Sequence, residues 1–251
     1  MSLWYFSKPD KMDRATFHKE SISSDVYLCN PGPSLRYIDP QSLKQPGVLT
    51  AAVNTAYPRI RPDIWFGMDD PHCYPRQVFW ESFIKVMRGG FQDRKCEGLS
   101  LQNCFNLYYI DGEVFDGQNN FFDFKGHDVN FTWTGNALFI SIHVLLWMGA
   151  KRIHLLGCDL STKDGHYHSD QVLSESNLDY NNQLYEELNA FLKWYSGEAA
   201  EHGIEIISCS PDSRINEYLT YLPLNVAIKQ TQDRYNIPFG GDLLHSRDVK
   251  I

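Results

Sequence analysis

The sequence predicts an α/β protein whose sheet is Rossmann-like, doubly wound and mostly parallel, with a small antiparallel excursion or lid. Short apolar runs rich in valine and isoleucine recur along the chain and stop abruptly at polar, glycine or proline residues, which is typical of buried parallel strands. Helical patterns fall between several of these runs, as expected where helices cover such a sheet. The 251 residues are 43% hydrophobic, which is enough for a sizeable core.

Five apolar runs are predicted as strands of this sheet. They span residues 26–29, 48–53, 64–66, 153–156 and 204–207. Each is followed at once by turn-forming or short polar residues, which limits it to the length of a buried strand. Because the runs are nearly continuous in apolar character, we expect them to pair in parallel.

Two helices are predicted between the runs. Residues 136–148 are apolar on nearly every side and end at Gly149, a residue type favoured at helix C-termini, so we expect a central buried helix. A second, amphipathic helix is expected before the run at 204–207. Its apolar face consists of Leu184, Leu188, Phe191, Leu192 and Tyr195.

Residues 89–133 interrupt this alternation. They are rich in glycine, asparagine and aromatic residues, and Asp111-Gly112 separates two short apolar segments. That dipeptide predicts a β-hairpin with a type I′ turn, so we expect an antiparallel excursion or lid here. We expect one domain over residues 1–222, followed by a C-terminal tail over 223–251 whose periodicity is too weak to assign.

Charge, hydropathy and cysteine content exclude several classes of protein. The formal net charge is −8 and no run of Lys or Arg is present, which argues against a nucleic-acid partner. The longest apolar stretch, residues 137–150, is shorter than the roughly 20 residues that cross a bilayer, so no transmembrane segment is expected. Six cysteines without a C-x-x-C pair or a secretion signal predict reduced thiols and a cytoplasmic location. The sequence leaves open whether the chain forms homo-oligomers.

Short polar side chains follow the predicted strands at the point where each strand ends. Ligands of open parallel sheets bind beyond the carboxyl ends of the strands, so this set predicts a ligand site. The same residue types also cap helices and form turns, an alternative that the sequence leaves open. The set consists of Asn30, Ser34, Asn54, Asp69, Asp70, Asp159, Ser210 and Asp212.

The turn at residues 30–35 is the sharpest local feature. Gly32 allows the backbone to approach a ligand closely, and Pro33 can begin a helix whose free N–H groups face a phosphate. The turn is neither a Walker A loop nor a G-x-G-x-x-G motif. Thr134-Gly135, before the predicted buried helix, offers a second phosphate or base contact, or a plain helix cap.

A second group of candidates carries acid–base chemistry. Asp159 lies just after the run at 153–156, and His166 and His168 follow it within nine residues. The aspartate and the histidines can form an acid–base pair or a metal site. An exposed polar loop is the alternative. Asp69 and Asp70 can hold a divalent cation between phosphates.

In its motifs and in their order, the sequence resembles the bacterial lipooligosaccharide sialyltransferases. The resemblance lies in residues 30–35, 134–135, 146–159 and 209–213, and extends over roughly residues 24–222. The chain is similar also to the wider family of the archaeal 6-hydroxymethylpterin diphosphokinases and the motility-associated flagellin glycosylation factors. That second similarity rests on residues 62–66 leading into Asp69, and on Gly157, Asp159 and Leu160 followed by a histidine.

The resemblance implies a nucleotide-binding site and a general base. The nucleotide is expected near Asn30, Gly32, Pro33, Ser34, Asn54, Thr134, Gly135 and Ser210. In the sialyltransferases the donor is cytidine monophosphate linked to sialic acid, and a histidine before a serine is the general base. His168 before Ser169 is the matching position, and Asp159 is its expected catalytic partner.

Three functions follow from this resemblance. The first is a glycosyltransferase without a metal cofactor, which transfers a sugar from a nucleotide-activated donor to a glycan or small-molecule acceptor. The second is a magnesium-dependent diphosphokinase of the pterin type, with Asp69, Asp70 and Asp159 arranging the metal and the phosphates. The third is a non-catalytic binding protein of the same fold, because Ser161 follows Leu160 where the sialyltransferases carry an aromatic pair.

Overall fold

A computed structural model describes residues 3–8, 11–15, 24–110, 113–114, 122, 132–133, 136–162, 166–168, 171–172 and 175–235. The protein is α/β with mostly parallel strands and a Rossmann-like arrangement, as the sequence predicts. The chain divides into two compact units. Unit one contains Met1–Ile22 and Ala51–Gly149, and unit two contains Ser23–Thr50 and Ala150–Ile251.

The strands and helices are numbered along the chain. The strands are β1 (Leu3–Lys8), β2 (Lys11–Arg14), β3 (Asp25–Cys29), β4 (Leu49–Val53), β5 (Ile64–Gly67), β6 (Ile84–Arg88), β7 (Lys95–Cys96), β8 (Leu99–Ser100), β9 (Leu107–Ile110), β10 (Glu113–Val114), β11 (Thr132–Trp133), β12 (Arg152–Leu156), β13 (His166–His168), β14 (Gln171–Val172) and β15 (Glu205–Ser208). The helices are α1 (Ala137–Trp147), α2 (Glu175–Glu201) and α3 (Leu224–Arg234). Short 3-10 helices lie between them, and one spans Pro33–Tyr37.

Unit two is built on three parallel strands in the order β15-β12-β3. Ile153 of the central strand lies opposite Val26 on one side and Ile206 on the other. Every residue of β3 is buried, which explains its continuous apolar run. The predicted amphipathic helix is confirmed, because α2 contacts β15 and buries Leu188 and Tyr195.

The C-terminal helix α3 also belongs to unit two, and the weak periodicity of the sequence did not predict it. Its buried positions are Ala227, Ile228 and Thr231, so only a narrow apolar stripe faces the unit. The hydroxyls of Thr231 and Tyr27 are 2.8 Å apart, and Arg234 pairs with buried Asp25 over 2.6 Å. Polar contacts to β3 therefore replace much of the apolar pattern that would mark a helix.

Unit one contains the parallel pairs β4-β5, β5-β6 and β6-β9. Beyond β9 the pairing becomes antiparallel, first to β1 and then from β1 to β2. The apolar helix α1 is confirmed as buried, and it contacts β5 and β11. Asn136 accepts the main-chain N–H of Leu138 over 2.8 Å at its start, and Gly149 follows its end with φ +114°.

The predicted hairpin around Asp111-Gly112 is wrong. Strand β9 hydrogen-bonds to β6 on one side and to β1 on the other, and β10 pairs in parallel with β11 instead. The two apolar segments thus pair with different strands, and a local turn signal contains no information about those distant partners. The expected antiparallel excursion is nevertheless present as β7 and β8. Within the described ranges, no helix is both long and apolar enough to span a membrane.

Candidate functional site

In unit two, the loops that follow β3 and β12 are joined by main-chain hydrogen bonds. The N–H of Asn30 donates to the carbonyl of Leu156 over 2.7 Å, and the N–H of Gly32 donates to the carbonyl of Gly157 over 2.9 Å. The two loops therefore continue the parallel pairing beyond the ends of the strands. This brings the 30–35 turn and the Gly157-Cys158-Asp159 motif together, as the sequence predicts.

Two glycines make this close approach possible. Gly157 has φ +62°, and a Cβ added there would lie 2.1 Å from the carbonyl oxygen of Asn30. A Cβ on Gly32 would lie 2.3 Å from the carbonyl oxygen of Gly157 and 2.6 Å from Oδ2 of Asp159. No side chain fits at either distance, so both positions require glycine.

The carboxylate of Asp159 lies against the 3-10 helix Pro33–Tyr37. Its Oδ2 accepts the main-chain N–H of Ser34 over 2.8 Å, and Asp159 is buried. The N–H of Leu35 donates to Gly32, and Pro33 has no N–H. The main-chain donors that we expected to face a phosphate are therefore engaged within the protein.

The side chains of this turn differ in their bonding. Asn30 is buried, and its Nδ2 donates to the carbonyl of Leu28 over 3.3 Å, so its amide supports the end of β3. The hydroxyl of Ser34 is also buried and has no hydrogen-bond partner within the described part of the chain. An unsatisfied buried polar group costs about 1–3 kcal/mol, which a ligand that bonds to it would recover.

Ser210 and Ser213 hydrogen-bond to the main chain of Cys158, one to its N–H and the other to its carbonyl. Ser210 Oγ accepts the N–H of Cys158 over 3.1 Å, and Ser213 Oγ donates to its carbonyl over 2.7 Å. Ser210 has no exposed surface, so its hydroxyl serves the loop in this structure. Ser213 was not among the predicted site residues, although a serine soon after a strand is a common helix-capping signal; it accepts the N–H of Ile215 in that role.

The histidine segment lies beside this turn. Strand β13 (His166–His168) pairs antiparallel with β14, with an irregular register between its two histidines, and contacts the 3-10 helix Pro33–Tyr37. The side chains of His166 and His168 lie outside the described residues. Residues two apart share a face in a regular strand. The spacing of the two histidines alone therefore does not indicate which of them is the better candidate for a general base. The backbone contact nevertheless brings both histidines to the end of unit two that carries Asp159.

In unit one, Asn54 is the centre of a separate hydrogen-bonded cluster. Its Oδ1 accepts the N–H of Met68 over 2.9 Å and the hydroxyl of Tyr74 over 2.8 Å. Its Nδ2 donates to Asp69 Oδ2 over 2.9 Å, and its carbonyl accepts Trp65 Nε1–H over 3.0 Å. Asn54 adopts φ +47°, a conformation that asparagine tolerates better than most residues. In this structure the side chain therefore orients the end of β5.

The two aspartates of unit one have different surroundings. Burial raises the pKa of Asp69 above its usual range. Asp70 caps a 3-10 helix by accepting the N–H of His72 over 3.0 Å, and this bond lowers the pKa of Asp70. The described residues contain no group of three or more His, Cys, Asp or Glu side chains that could hold a metal ion. Thr134 and Gly135, the remaining predicted contacts, lie outside the described residues.

Comparisons of the chain with protein-family models, with curated proteins and with solved structures find no match. In unit two, the geometry of the strand ends joins Asn30, Gly32, Ser34 and Asp159, with β13 alongside them.

Proposed function

We propose that unit two is the catalytic part of a glycosyltransferase that uses a nucleotide-activated sugar. The observation that carries the proposal is the contact between β13, with its histidines, and the 3-10 helix Pro33–Tyr37. Asp159 meets the same helix through the N–H of Ser34. A histidine and a carboxylate at the carboxyl ends of parallel strands are the groups that proton transfer at a bound ligand requires.

In the proposed reaction, His168 takes the proton of an acceptor hydroxyl on a glycan or small molecule. The acceptor oxygen forms a bond to the anomeric carbon of the donor, and the bond from that carbon to the phosphate oxygen breaks. The nucleotide leaves with the electron pair of that bond. Asp159 stabilises the protonated imidazole, because a nearby negative charge favours the charged form of histidine.

The nucleotide is proposed to contact the turn through Ser34. Its buried hydroxyl has no partner within the described ranges, whereas the N–H groups of Gly32 and Ser34 are engaged. A phosphate or ribose oxygen bonded to Ser34 Oγ would remove the cost of that unsatisfied group. We also propose a cytoplasmic location, because all six cysteines are free thiols and disulfides are rare in that compartment.

The test is a thermal-shift screen with cytidine, uridine, adenosine and guanosine nucleotides and their sugar conjugates, with and without magnesium. A ligand that binds only the folded state at 100 times its dissociation constant stabilises it by about 2.7 kcal/mol, so the melting temperature rises. Ser34→Ala is expected to reduce this shift. Ser42→Ala is the matched control, because Ser42 lies in the next 3-10 helix and its hydroxyl donates to the carbonyl of Asp39. The absence of a shift with every nucleotide at millimolar concentration would refute the proposal.

A further inference from the structure

Leu160, the residue after Asp159, has a strained backbone. Its φ is +45°, in the left-handed region that bulky L-residues rarely adopt. Leu160 is also buried. A non-glycine residue stays in this region only when its surroundings hold it there, and such strain is often found at functional sites.

Asn189 of α2 supplies that restraint. Its Nδ2 donates to the carbonyl of Leu160 over 3.1 Å and to the carbonyl of Tyr185 over 2.9 Å. Its Oδ1 accepts the hydroxyl of Tyr218 over 3.0 Å. Asn189 is buried on the apolar face of the helix, where an amide is stable only because each of these bonds is made.

A second bond from α2 reaches the same segment. The hydroxyl of Thr162 donates to Oδ1 of Asn182 over 2.7 Å. Asn182 and Asn189 are seven residues apart, which is about two helical turns, so they lie on the same face of the helix. The helix thus contacts the chain at residues 160 and 162, shortly before β13 begins at His166.

We propose that Asn189 is a positioning residue for the histidine strand. By holding Leu160 in the left-handed conformation, it sets the direction in which the chain leaves Asp159, and so the position of β13 beside the 3-10 helix Pro33–Tyr37. The inference rests on the proposed function, in which β13 carries the general base. Tyr218 fixes the Asn189 amide and completes the arrangement.

The first test is a double-mutant cycle in urea unfolding. Asn189→Ala removes the bond to Leu160 and is expected to lower the urea midpoint. In a Leu160→Gly background the same change is expected to lower it more, because leucine recovers part of the loss by leaving its strained conformation, whereas glycine adopts φ +45° without strain. Equal losses in both backgrounds would overturn the link between Asn189 and the Leu160 conformation.

The second test asks whether Asn189 acts on the histidines rather than on stability alone. The pH midpoints of the imidazole signals are measured by NMR, with His166→Gln and His168→Gln for assignment. Asn189→Ala is expected to move the His168 midpoint by roughly 0.5 unit, about half the usual spread among protein environments. Gln183→Ala, on an exposed position of the same helix, is expected to leave it unchanged. Lower stability with both midpoints unchanged would mean that Asn189 is only structural.

Failure of the proposed function gives a different result. In that case none of the cytidine, uridine, adenosine and guanosine nucleotides of the screen moves either histidine midpoint of the wild-type protein, while Asn189→Ala still moves that of His168. If a nucleotide moves the His168 midpoint and Asn189→Ala does not, the proposed function stands and the positioning role is overturned.

Discussion

The main-chain N–H of Ser34 donates to Oδ2 of Asp159 over 2.8 Å, so a carboxylate occupies the start of the 3-10 helix Pro33–Tyr37. Negative charge is favourable at the start of a helix. It also takes a donor that a phosphate would otherwise bind. A phosphate bound at this turn therefore needs another donor, and the buried hydroxyl of Ser34, which has no hydrogen-bond partner among the described residues, is a candidate.

Asp159→Ala is expected to destabilise the protein more than Asp159→Asn. Alanine leaves the buried N–H of Ser34 without its acceptor, which costs about 1–3 kcal/mol. Asparagine keeps an oxygen at this position and replaces a charged hydrogen bond with a neutral one, a loss of about 1 kcal/mol. Urea unfolding of both variants measures the difference. Equal losses would show that the charge of Asp159, rather than its bond to Ser34, stabilises the loop.

Gly157→Ala is expected to prevent folding or to cost several kcal/mol, because its Cβ would lie 2.1 Å from the carbonyl oxygen of Asn30. Gly203→Ala is the matched control. Gly203 also has positive φ, at +73°, but a Cβ there meets nothing within 4 Å, so only the backbone strain of about 1–2 kcal/mol remains. Thermal unfolding of the two variants separates the steric cost from the strain. Similar melting temperatures would contradict the close approach of the two loops.

The central strands and α1 could be predicted because their local patterns agree with their burial. Strand β3 is buried along its whole length, and an uninterrupted apolar run predicts such a strand. The position of β1 could not be predicted in this way. It pairs with β9, about a hundred residues later, and a single sequence carries no local signal for that pairing.

The approach of the two strand-end loops could be predicted from the sequence, but their hydrogen bonds could not. The strand-end rule correctly brought Gly32 and Asp159 together. It did not reveal that the N–H of Ser34 is taken by that carboxylate, because hydrogen-bond partners depend on side-chain geometry. Asn189 was not predicted, because a single polar residue beside an apolar helix face does not reveal its hydrogen bond to the carbonyl of Leu160.

Asp25→Asn is expected to destabilise unit two in a pH-dependent way. Burial alone would raise the pKa of Asp25, but hydrogen bonds from His154, Arg152 and Arg234 hold that pKa well below its usual range. A depressed folded-state pKa stabilises the protein above the unfolded value of about 3.9, and this stabilisation is lost as the pH falls below it. Removing one partner of a buried ion pair costs about 3–5 kcal/mol.

The pH dependence provides the check on this interpretation. The loss of unfolding free energy caused by Asp25→Asn is expected to be smaller at pH 3 than at pH 7 by about 1 kcal/mol. This is because pH 3 lies about 0.9 unit below the unfolded-state pKa of about 3.9, and a difference of that size corresponds to about 1 kcal/mol. Urea unfolding of both proteins at the two pH values gives the comparison. A cost that does not change with pH would mean that Asp25 acts through shape rather than through charge.

Thiol reactivity is expected to distinguish Cys73 from the buried cysteines. Cys73 is exposed, whereas Cys29, Cys158 and Cys209 are buried. Burial raises the pKa of Cys209 to about 12 and that of Cys158 further above its usual range. The buried thiols react only through unfolding, so we expect them to be slower by on the order of 10³-fold or more. Loss of the fast phase in Cys73→Ser would confirm its assignment, and fast labelling of Cys158 would contradict the burial of its loop.

His168→Ala is expected to lose turnover while nucleotide affinity stays near that of the wild type. A positioned general base contributes about 10²–10⁴-fold in rate, and His168 precedes Ser169 as the base precedes a serine in the sialyltransferases. His166→Ala is the matched control on the same strand, and we expect it to cost little. Both variants are compared by initial rates with the donor and acceptor that the nucleotide screen identifies, and by their nucleotide-induced thermal shifts.

The outcomes of this comparison separate three readings of β13. Reversed phenotypes would show that the resemblance is misaligned by two residues and that His166 is the base. A loss of thermal shift together with activity in His168→Ala would make His168 a binding residue rather than a base. If neither variant changes the rate of an active enzyme, the base lies outside β13 and the contact between this strand and the 3-10 helix Pro33–Tyr37 serves only the fold.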